Sequence, residues 1–353
     1  MPDHDRPTPL VERLSSGLAR PFERSTDERV IALTERQYGM TPTRVLRLAT
    51  ERDETFRLWV AGEPNGFVLK IAPPGDDPAE LELPGAAISH AAGRDATLPL
   101  QRFIAPLPGT SPRGGAALHD RPTRLIRYLP GRMLSDTPTS THQWRAVGRM
   151  LARVALALAD FDHPAAGRWL AWDLANLDDM AELVPMLPND EQRSAVGKLL
   201  VDFTANTLPS LRLTPRQAVH NDFHGGNLIV DPDTRGFVTG ILDFGDVVRT
   251  HRCADLAIAM SYAIPPSVRS DNPWTSAVAL AAGYRDVSEL SVDEVSLLPQ
   301  LVRGRLAQRL LLGSWMSATR SENAAYTARN LETTWRQFLR LSDSSPPRGA
   351  LGH

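Results

Sequence analysis

HNDFHGGNLIV, residues 220–230, holds two histidines, an aspartate and two asparagines, and then turns apolar. Polar groups at this density are costly to bury unless something uses them. Three readings fit the stretch alone. It is a polar turn before a strand, a metal site on His220, Asp222 and His224, or the catalytic loop of a phosphotransferase. Asp222 and Asn227 stand in the spacing D-x-x-x-x-N, with His220 two residues ahead of the aspartate. In the third reading Asp222 accepts a hydroxyl proton, and Asn227 offers a carbonyl oxygen to a hard cation, which prefers oxygen ligands. Gly225 and Gly226 allow the tight turn that aims both side chains at one point.

A second stretch, GILDFGDVVRT at 240–250, narrows the choice. An apolar strand delivers Asp243, followed by Phe244 and Gly245. Between Asn227 and Asp243 lie LIV, the turn DPDTRG and FVTGIL, a β-hairpin pattern that brings the two residues together. A carboxylate and an amide at the ends of one hairpin suit a Mg²⁺ ion that carries nucleotide phosphates. A third piece is Lys70, in the middle of the apolar run FVLKI. Such a lysine snorkels to water at an edge strand, or it meets an anion. The chain order of strand lysine, H-x-D-x-x-x-x-N and then DFG is that of the phosphate-handling parts of protein kinases.

Composition agrees with a soluble enzyme and excludes little else. The chain has 353 residues, 42% hydrophobic and 23% charged, with formal net charge -2. That balance gives no bulk attraction to nucleic acid or a membrane surface. The single cysteine, Cys253, has no internal disulfide partner, and no apolar run approaches a membrane span or a signal-peptide core. A cytoplasmic protein is expected, monomeric or homodimeric. The only lysines are Lys70 and Lys198 in a chain whose other basic residues are arginine.

Patterning divides the chain. Residues 1–25 read as a mobile lead-in with a short helix. TRVLRLAT (43–50), TFRLWVAG (55–62) and GFVLKIA (66–72) read as strands, with the turn signal EPNG before the third. PAELELPGAAISHAAG (78–93) is helical in character, and Pro84-Gly85 is expected to break or kink it. PTRLIRYLPG (122–131) reads as a strand entering a turn. A helix from about 141, with Thr141 as its N-cap, carries Trp144, Val147, Leu151, Val154 and Leu158 on one face. Further helices follow, one of them long and apolar with an early Pro299. The end, 342–353, reads as a disordered tail. The expected class is α+β with two lobes: an N-terminal antiparallel sheet lobe (26–128) and a mostly helical C-terminal lobe (129–341).

On these residues the sequence resembles the aminoglycoside phosphotransferase and choline kinase family, small-molecule relatives of protein kinases, with the flavour of its hydroxylysine kinase branch. The family pattern H-G-D-x-x-x-x-N followed by I-D-x-x stands here as His220-Asn221-Asp222 through Asn227, and Ile241-Leu242-Asp243 through Asp246. The resemblance spans about residues 30–340. RYLPGRML (127–134), LAWDLANL (170–177) and LDFGDVVRTHRCADLAIAMSYA (242–263) add to it. It implies a bilobal protein-kinase-like fold and transfer of the γ-phosphate of ATP or GTP, with Mg²⁺, to a hydroxyl of an amine-bearing acceptor such as hydroxylysine. It also implies residue roles. Asp222 positions and partly deprotonates the hydroxyl, and His220 braces the loop. Asn227 and Asp243 hold the metal. Lys70 meets the α and β phosphates. Leu125 to Leu129, with Arg127 and Tyr128, line the base pocket. The chain departs from the family in two places: ATERDETF (49–56) has no glycine where a glycine-rich loop is expected, and Asn221 replaces a glycine. The acidic partner of Lys70 is expected near Pro84, with Glu82 preferred over Glu80.

The acceptor is read from charge. Asp173 beside Trp172, Asp246 and Asp255 are carboxylates suited to a cationic amine, and equally Asp255 reads as a helix cap and Asp173 as a turn anchor. Three rivals stay open at this point: an aminoglycoside O-phosphotransferase, a hydrolase with a metal on His220, Asp222 and His224 helped by His251, and a nucleotide-binding protein without transfer activity.

Overall fold

The computed structural model describes residues 9–18, 23–48, 53–73, 75–110, 121–267, 272–319, 324–342, 344–347 and 349–351. Helices α1 (Leu10–Leu18) and α2 (Asp27–Tyr38) precede three strands, β1 (Pro42–Leu48), β2 (Glu54–Val60) and β3 (Glu63–Ile71). Helix α3 (Pro78–Arg94) follows, then β4 (Phe103–Ile104) and β5 (Thr123–Arg127). These strands form one antiparallel sheet in the order β1-β2-β3-β5-β4. The strand alternation fixes its two faces. Phe56, Leu58, Phe67, Leu69, Ile71 and Leu125 are buried together with Val30, Leu33 and Tyr38 of α2. Each such side chain contributes about 1.5–3 kcal/mol by leaving water. Cross-strand neighbours share a face. Thr55, Lys70 and Arg124 therefore line up on the opposite one.

The remainder is mostly helical. Strand β6 (Arg132–Met133) leads to α4 (Thr141–Ala157), and a 3-10 segment, Leu174–Met186, to α5 (Asp190–Asp202) and α6 (Leu208–Leu211). Strands β7 (Arg216–Val219), β8 (Leu228–Val230), β9 (Val238–Ile241) and β10 (Val248–His251) then alternate with the polar loops. Helices α7 (Arg252–Tyr262), α8 (Thr275–Arg285), α9 (Val292–Thr319) and α10 (Ala324–Ser342) close the fold. The main core gathers α4, α7, α8 and α9 around Trp274, Tyr284 and Trp315. Helices α4 and α8 touch backbone to backbone. A Cβ on Gly148 would lie 1.9 Å from the Leu280 carbonyl oxygen, and one on Gly283 1.9 Å from that of Arg145.

Several local expectations are corrected. Helix α3 runs unbroken through Pro84, which is buried within it. An interior proline loses one helix hydrogen bond and crowds the carbonyl four residues before it, and burial of Leu83, Ala87, Ile88 and Ala91 holds the helix across that site. The β2–β3 turn falls at Ala61-Gly62, and EPNG belongs to β3. There Gly66 has φ 58° and sits so close to the Leu58 carbonyl that a side chain has no room. Ser140, with Gln143 in a capping box, caps α4 in place of Thr141. The lead-in docks: Leu10 and Leu14 are buried in the main core, and the Arg13 guanidinium lies 4.3 Å over Trp169. The tail expected to be disordered packs in its described part. Ser344 O accepts from Arg303 at 2.6 Å, Leu351 O from Arg285 at 2.7 Å, and Leu351 is buried. Among the described residues no helix is long and apolar enough to cross a membrane.

Candidate active site

The loop after β7 places the polar motif. Asn221 sits at φ 65°, the left-handed region that glycine adopts without strain and asparagine tolerates better than most residues. This explains how an asparagine stands where the resemblance implies a glycine. Its backbone N–H donates to Asp255 Oδ1 at 2.8 Å, and its side-chain N–H to Trp172 O at 3.3 Å. His220 is fully buried, edge-on to Phe223 and Phe244. Its Nδ1 accepts from the Asp222 backbone N–H at 3.3 Å, so Nε2 carries the proton and donates to Leu242 O at 3.0 Å. Burial lowers its pKa and keeps the ring neutral. Both ring nitrogens are spent on backbone, which leaves His220 none for a metal and overturns the transition-metal reading of this stretch. His220 instead ties the Asp222 loop to the strand that delivers Asp243.

Asp222 sits among donors. Asn227 Nδ2 donates to its Oδ2 at 2.7 Å, His224 Nε2 is 3.3 Å from the same oxygen, and Arg305 Nη2 is 3.4 Å from Oδ1. Burial by itself raises this carboxylate, but His224 and Arg305 outweigh it and hold Asp222 well below the ordinary range. His224 Nδ1 accepts from Gly226 N–H at 3.0 Å, which puts its proton on Nε2, facing Asp222. Its ring stacks on Tyr262 at 4.4 Å.

The hairpin brings the second motif alongside. Strands β8 and β9 pair antiparallel, and Leu242 N–H donates to Asn227 O at 2.8 Å, so residues 227 and 243 lie at adjacent hairpin ends. Asp243 itself is left-handed, at φ 53° and ψ 77°. Its N–H donates to Gln101 Oε1 at 3.0 Å, and its Oδ1 accepts from Gly245 N–H at 3.3 Å. Its Oδ2 meets Lys70 Nζ at 2.8 Å. Removal from water raises the Asp243 pKa, and Lys70 more than reverses this. Segment 99–101 bridges the two halves: Ile241 N–H donates to Pro99 O at 2.8 Å, and Gln101 N–H to Ile241 O at 3.0 Å. Asp246 is partly exposed, and its pKa rises to about 7 through loss of water and through the charges of Asp222 and Asp243. Among the described residues no group of three or more His, Cys, Asp or Glu is arranged to hold a metal by itself. The oxygens of Asn227 and Asp243 at the hairpin ends are the donors a hard divalent cation prefers, with phosphate oxygens left to complete the set.

Other expected site residues fall elsewhere. The partner of Lys70 is Asp243 rather than Glu82, which is exposed on α3. Glu80 Oε2 instead lies 3.9 Å from Arg168 Nε, and Arg168 grips the Gly245 and Val247 carbonyls at 2.8 and 2.6 Å. The helix thus reaches the DFG turn through an arginine. Asp173 is 5% exposed, accepts from Thr250 Oγ1 at 2.8 Å and from Ala175 N–H at 3.0 Å, and caps the 3-10 segment. Its contacts serve that anchor and leave it closed to an acceptor. Trp172 stacks under Arg305 at 4.8 Å. Arg127 pairs with Glu63 at 2.8 Å, and the Tyr128 ring lies 3.5 Å from the Arg57 guanidinium. Residues 49–52 of the glycine-free loop lie outside the described residues. Asp255 is no cap: α7 begins before it, and the carboxylate braces the catalytic loop from inside.

Sequence reading missed Arg305, Gln308 and Arg309. All three sit on α9, and the signal was available: charged and amide residues inside a long apolar helix need partners. Arg305 is 1% exposed and donates to Trp172 O and Gln308 Oε1.

A family model described as a phosphotransferase enzyme family matches residues 45–290. The hydroxylysine kinase of Mus musculus is 25% identical over 349 residues, covering 90% of this chain and 89% of its own. A homoserine kinase of Sinorhizobium fredii is 30% identical over 218 residues, 60% of each. Among solved structures, an amicoumacin kinase in complex with AMP-PNP, Ca²⁺ and Ami superposes with TM-score 0.66 at 16% identity, covering 87% of this chain and 93% of that one. That last likeness is one of fold: an antiparallel sheet lobe on a helical lobe, as in protein kinases.

Proposed function

Because the chain belongs to the phosphotransferase enzyme family and is a small-molecule kinase acting on a hydroxyl group, we propose that it moves the γ-phosphate of ATP, with Mg²⁺, to a hydroxyl of an amine-bearing acceptor of the hydroxylysine kind. The observation that carries this is one connected network. Lys70 meets Asp243 at 2.8 Å, Asp243 adjoins Asn227 on the hairpin, and Asn227 holds Asp222 at 2.7 Å. We take residues 26–128 as the nucleotide lobe and 129–341 as the acceptor lobe.

In this reading the acceptor hydroxyl sits within hydrogen-bond reach of Asp222. Its oxygen attacks the γ-phosphorus, its proton passes to the Asp222 carboxylate, and the bond from phosphorus to the β,γ-bridging oxygen breaks as the diphosphate leaves. Asp222 is kept ionised by His224 and Arg305, so it orients the hydroxyl at once and takes the proton late. Asn227 and Asp243 would hold the cation, which when bound neutralises phosphate charge. Lys70 turns from Asp243 to the phosphates, and His220 keeps the loop in register. Positioning and charge account for most of the rate in such a transfer.

A coupled assay of nucleotide turnover tests the reading. Wild type is expected to consume ATP, or GTP if the base pocket admits it, only with a hydroxyl acceptor and a divalent cation. The panel is hydroxylysine, homoserine, ethanolamine, choline and aminoglycosides. Asp222→Asn is expected to lose about 100- to 10,000-fold in kcat. Unchanged kcat in that variant would sink the assignment. Nucleotide binding with no turnover on any acceptor would favour a non-catalytic role.

A further inference from the structure

We propose that Arg309 receives a carboxylate of the acceptor, so that the substrate is a hydroxylated amino acid and not a simple amino alcohol or an aminoglycoside. This rests on the kinase reading above and specifies its acceptor.

Helix α9 presents Arg305 and Arg309 four residues apart, on one face. Arg305 is spent on Trp172 O, Gln308 and Asp222. Arg309 is not. It is only partly buried, its guanidinium lies 4.3 Å over the Tyr262 ring, and Nη1 donates to the neutral Gln337 Oε1 at 3.3 Å. Among the described residues no carboxylate lies within ion-pair reach of it. The same Tyr262 ring stacks on His224, which touches Asp222. Two stacked rings, Tyr262 and His224, therefore connect Arg309 to the carboxylate that would hold the acceptor hydroxyl.

A guanidinium is built for planar, two-pronged contact with a carboxylate. Here it keeps donors in hand near the Asp222 loop, and burial disfavours its charge by more than the attraction of Asp222 restores. A polycationic acceptor would meet the Arg309 guanidinium on this wall. A zwitterion meets both signs, with its amine toward Asp246 and its carboxylate toward Arg309. The four residues from Arg305 to Arg309 advance about 6 Å along α9, the scale that separates hydroxyl from carboxylate in a four- to six-carbon hydroxy amino acid.

The test compares matched acceptors with and without the carboxylate: homoserine against 3-aminopropan-1-ol, and 5-hydroxylysine against 1,5-diaminopentan-2-ol. The readout is the ratio of kcat/KM within each pair, taken in one preparation of each enzyme so that any unfolded fraction cancels. Wild type is expected to favour the carboxylate form by at least about tenfold. Arg309→Gln is expected to bring the ratio close to one, and Arg309→Lys to keep part of it. A wild-type ratio preserved in Arg309→Gln overturns the proposal, and so does wild-type preference for the decarboxylated partner or for aminoglycosides, although the kinase reading then stands. No turnover of any acceptor by wild type overturns both.

Discussion

Lys70 Nζ stands 2.8 Å from Asp243 Oδ2, across 173 residues of chain. The contact joins the sheet to the DFG turn and puts one of the chain's two lysines against a carboxylate of the proposed metal pair. An ammonium is a compact point charge that can pass from one anion to another, which a forked guanidinium does less readily.

Lys70→Ala is expected to lower kcat/KM for the nucleotide by about 100-fold or more, and Lys70→Arg to fall between it and wild type. Steady-state kinetics at saturating acceptor measure both. Wild-type efficiency in Lys70→Ala would remove the lysine from the phosphate site.

Asp255 links the site to pH. It is 1% exposed, and burial pushes its pKa up to about 7, with Asp222 adding to the rise and Arg305 opposing it. Its Oδ2 and the nearby Asn221 Oδ1 are both buried acceptors without a donor. The folded value lies above the unfolded one of about 3.9. The stability this group contributes is therefore complete below about pH 4 and is lost as pH rises toward about 7. Asp255→Asn cannot titrate. Its melting temperature minus that of wild type is expected to grow between pH 5 and 8. A difference that stays flat over this range would show that Asp255 is charged throughout.

Asn221 tests the loop's backbone. At φ 65° a glycine fits freely, whereas alanine or valine is strained by about 1–2 kcal/mol. Asn221→Gly is expected to melt within a few degrees of wild type, and Asn221→Val well below it. Equal melting of the two variants would mean that the loop relaxes away from the left-handed conformation.

Two glycines on helices predict opposite signs. Gly148 meets the α8 backbone, and Gly197 on α5 faces open space. Gly148→Ala is expected to cost at least about 3 kcal/mol through overpacking. Gly197→Ala is expected to stabilise by about 0.5–1 kcal/mol through helix propensity. Urea titration reads both, and a neutral Gly148→Ala would contradict the close approach of α4 and α8.

What the sequence settled was local. Asp222 and Asn227 share one loop, and a short hairpin carries the chain from Asn227 to Asp243, so spacing alone brings these residues together. The α+β class followed from a change in hydrophobic period along the chain. Tertiary structure decided whatever depends on contacts between distant segments. It paired Lys70 with Asp243 and turned Glu80 toward Arg168. It set Asp255 beneath Asn221 and brought Arg305 against Asp222. Spacing fixes which residues a loop or hairpin joins, because covalent geometry bounds their separation. It leaves open which of several carboxylates a lysine meets, since that depends on how helices and sheet pack, and packing is settled by burial summed over the whole chain.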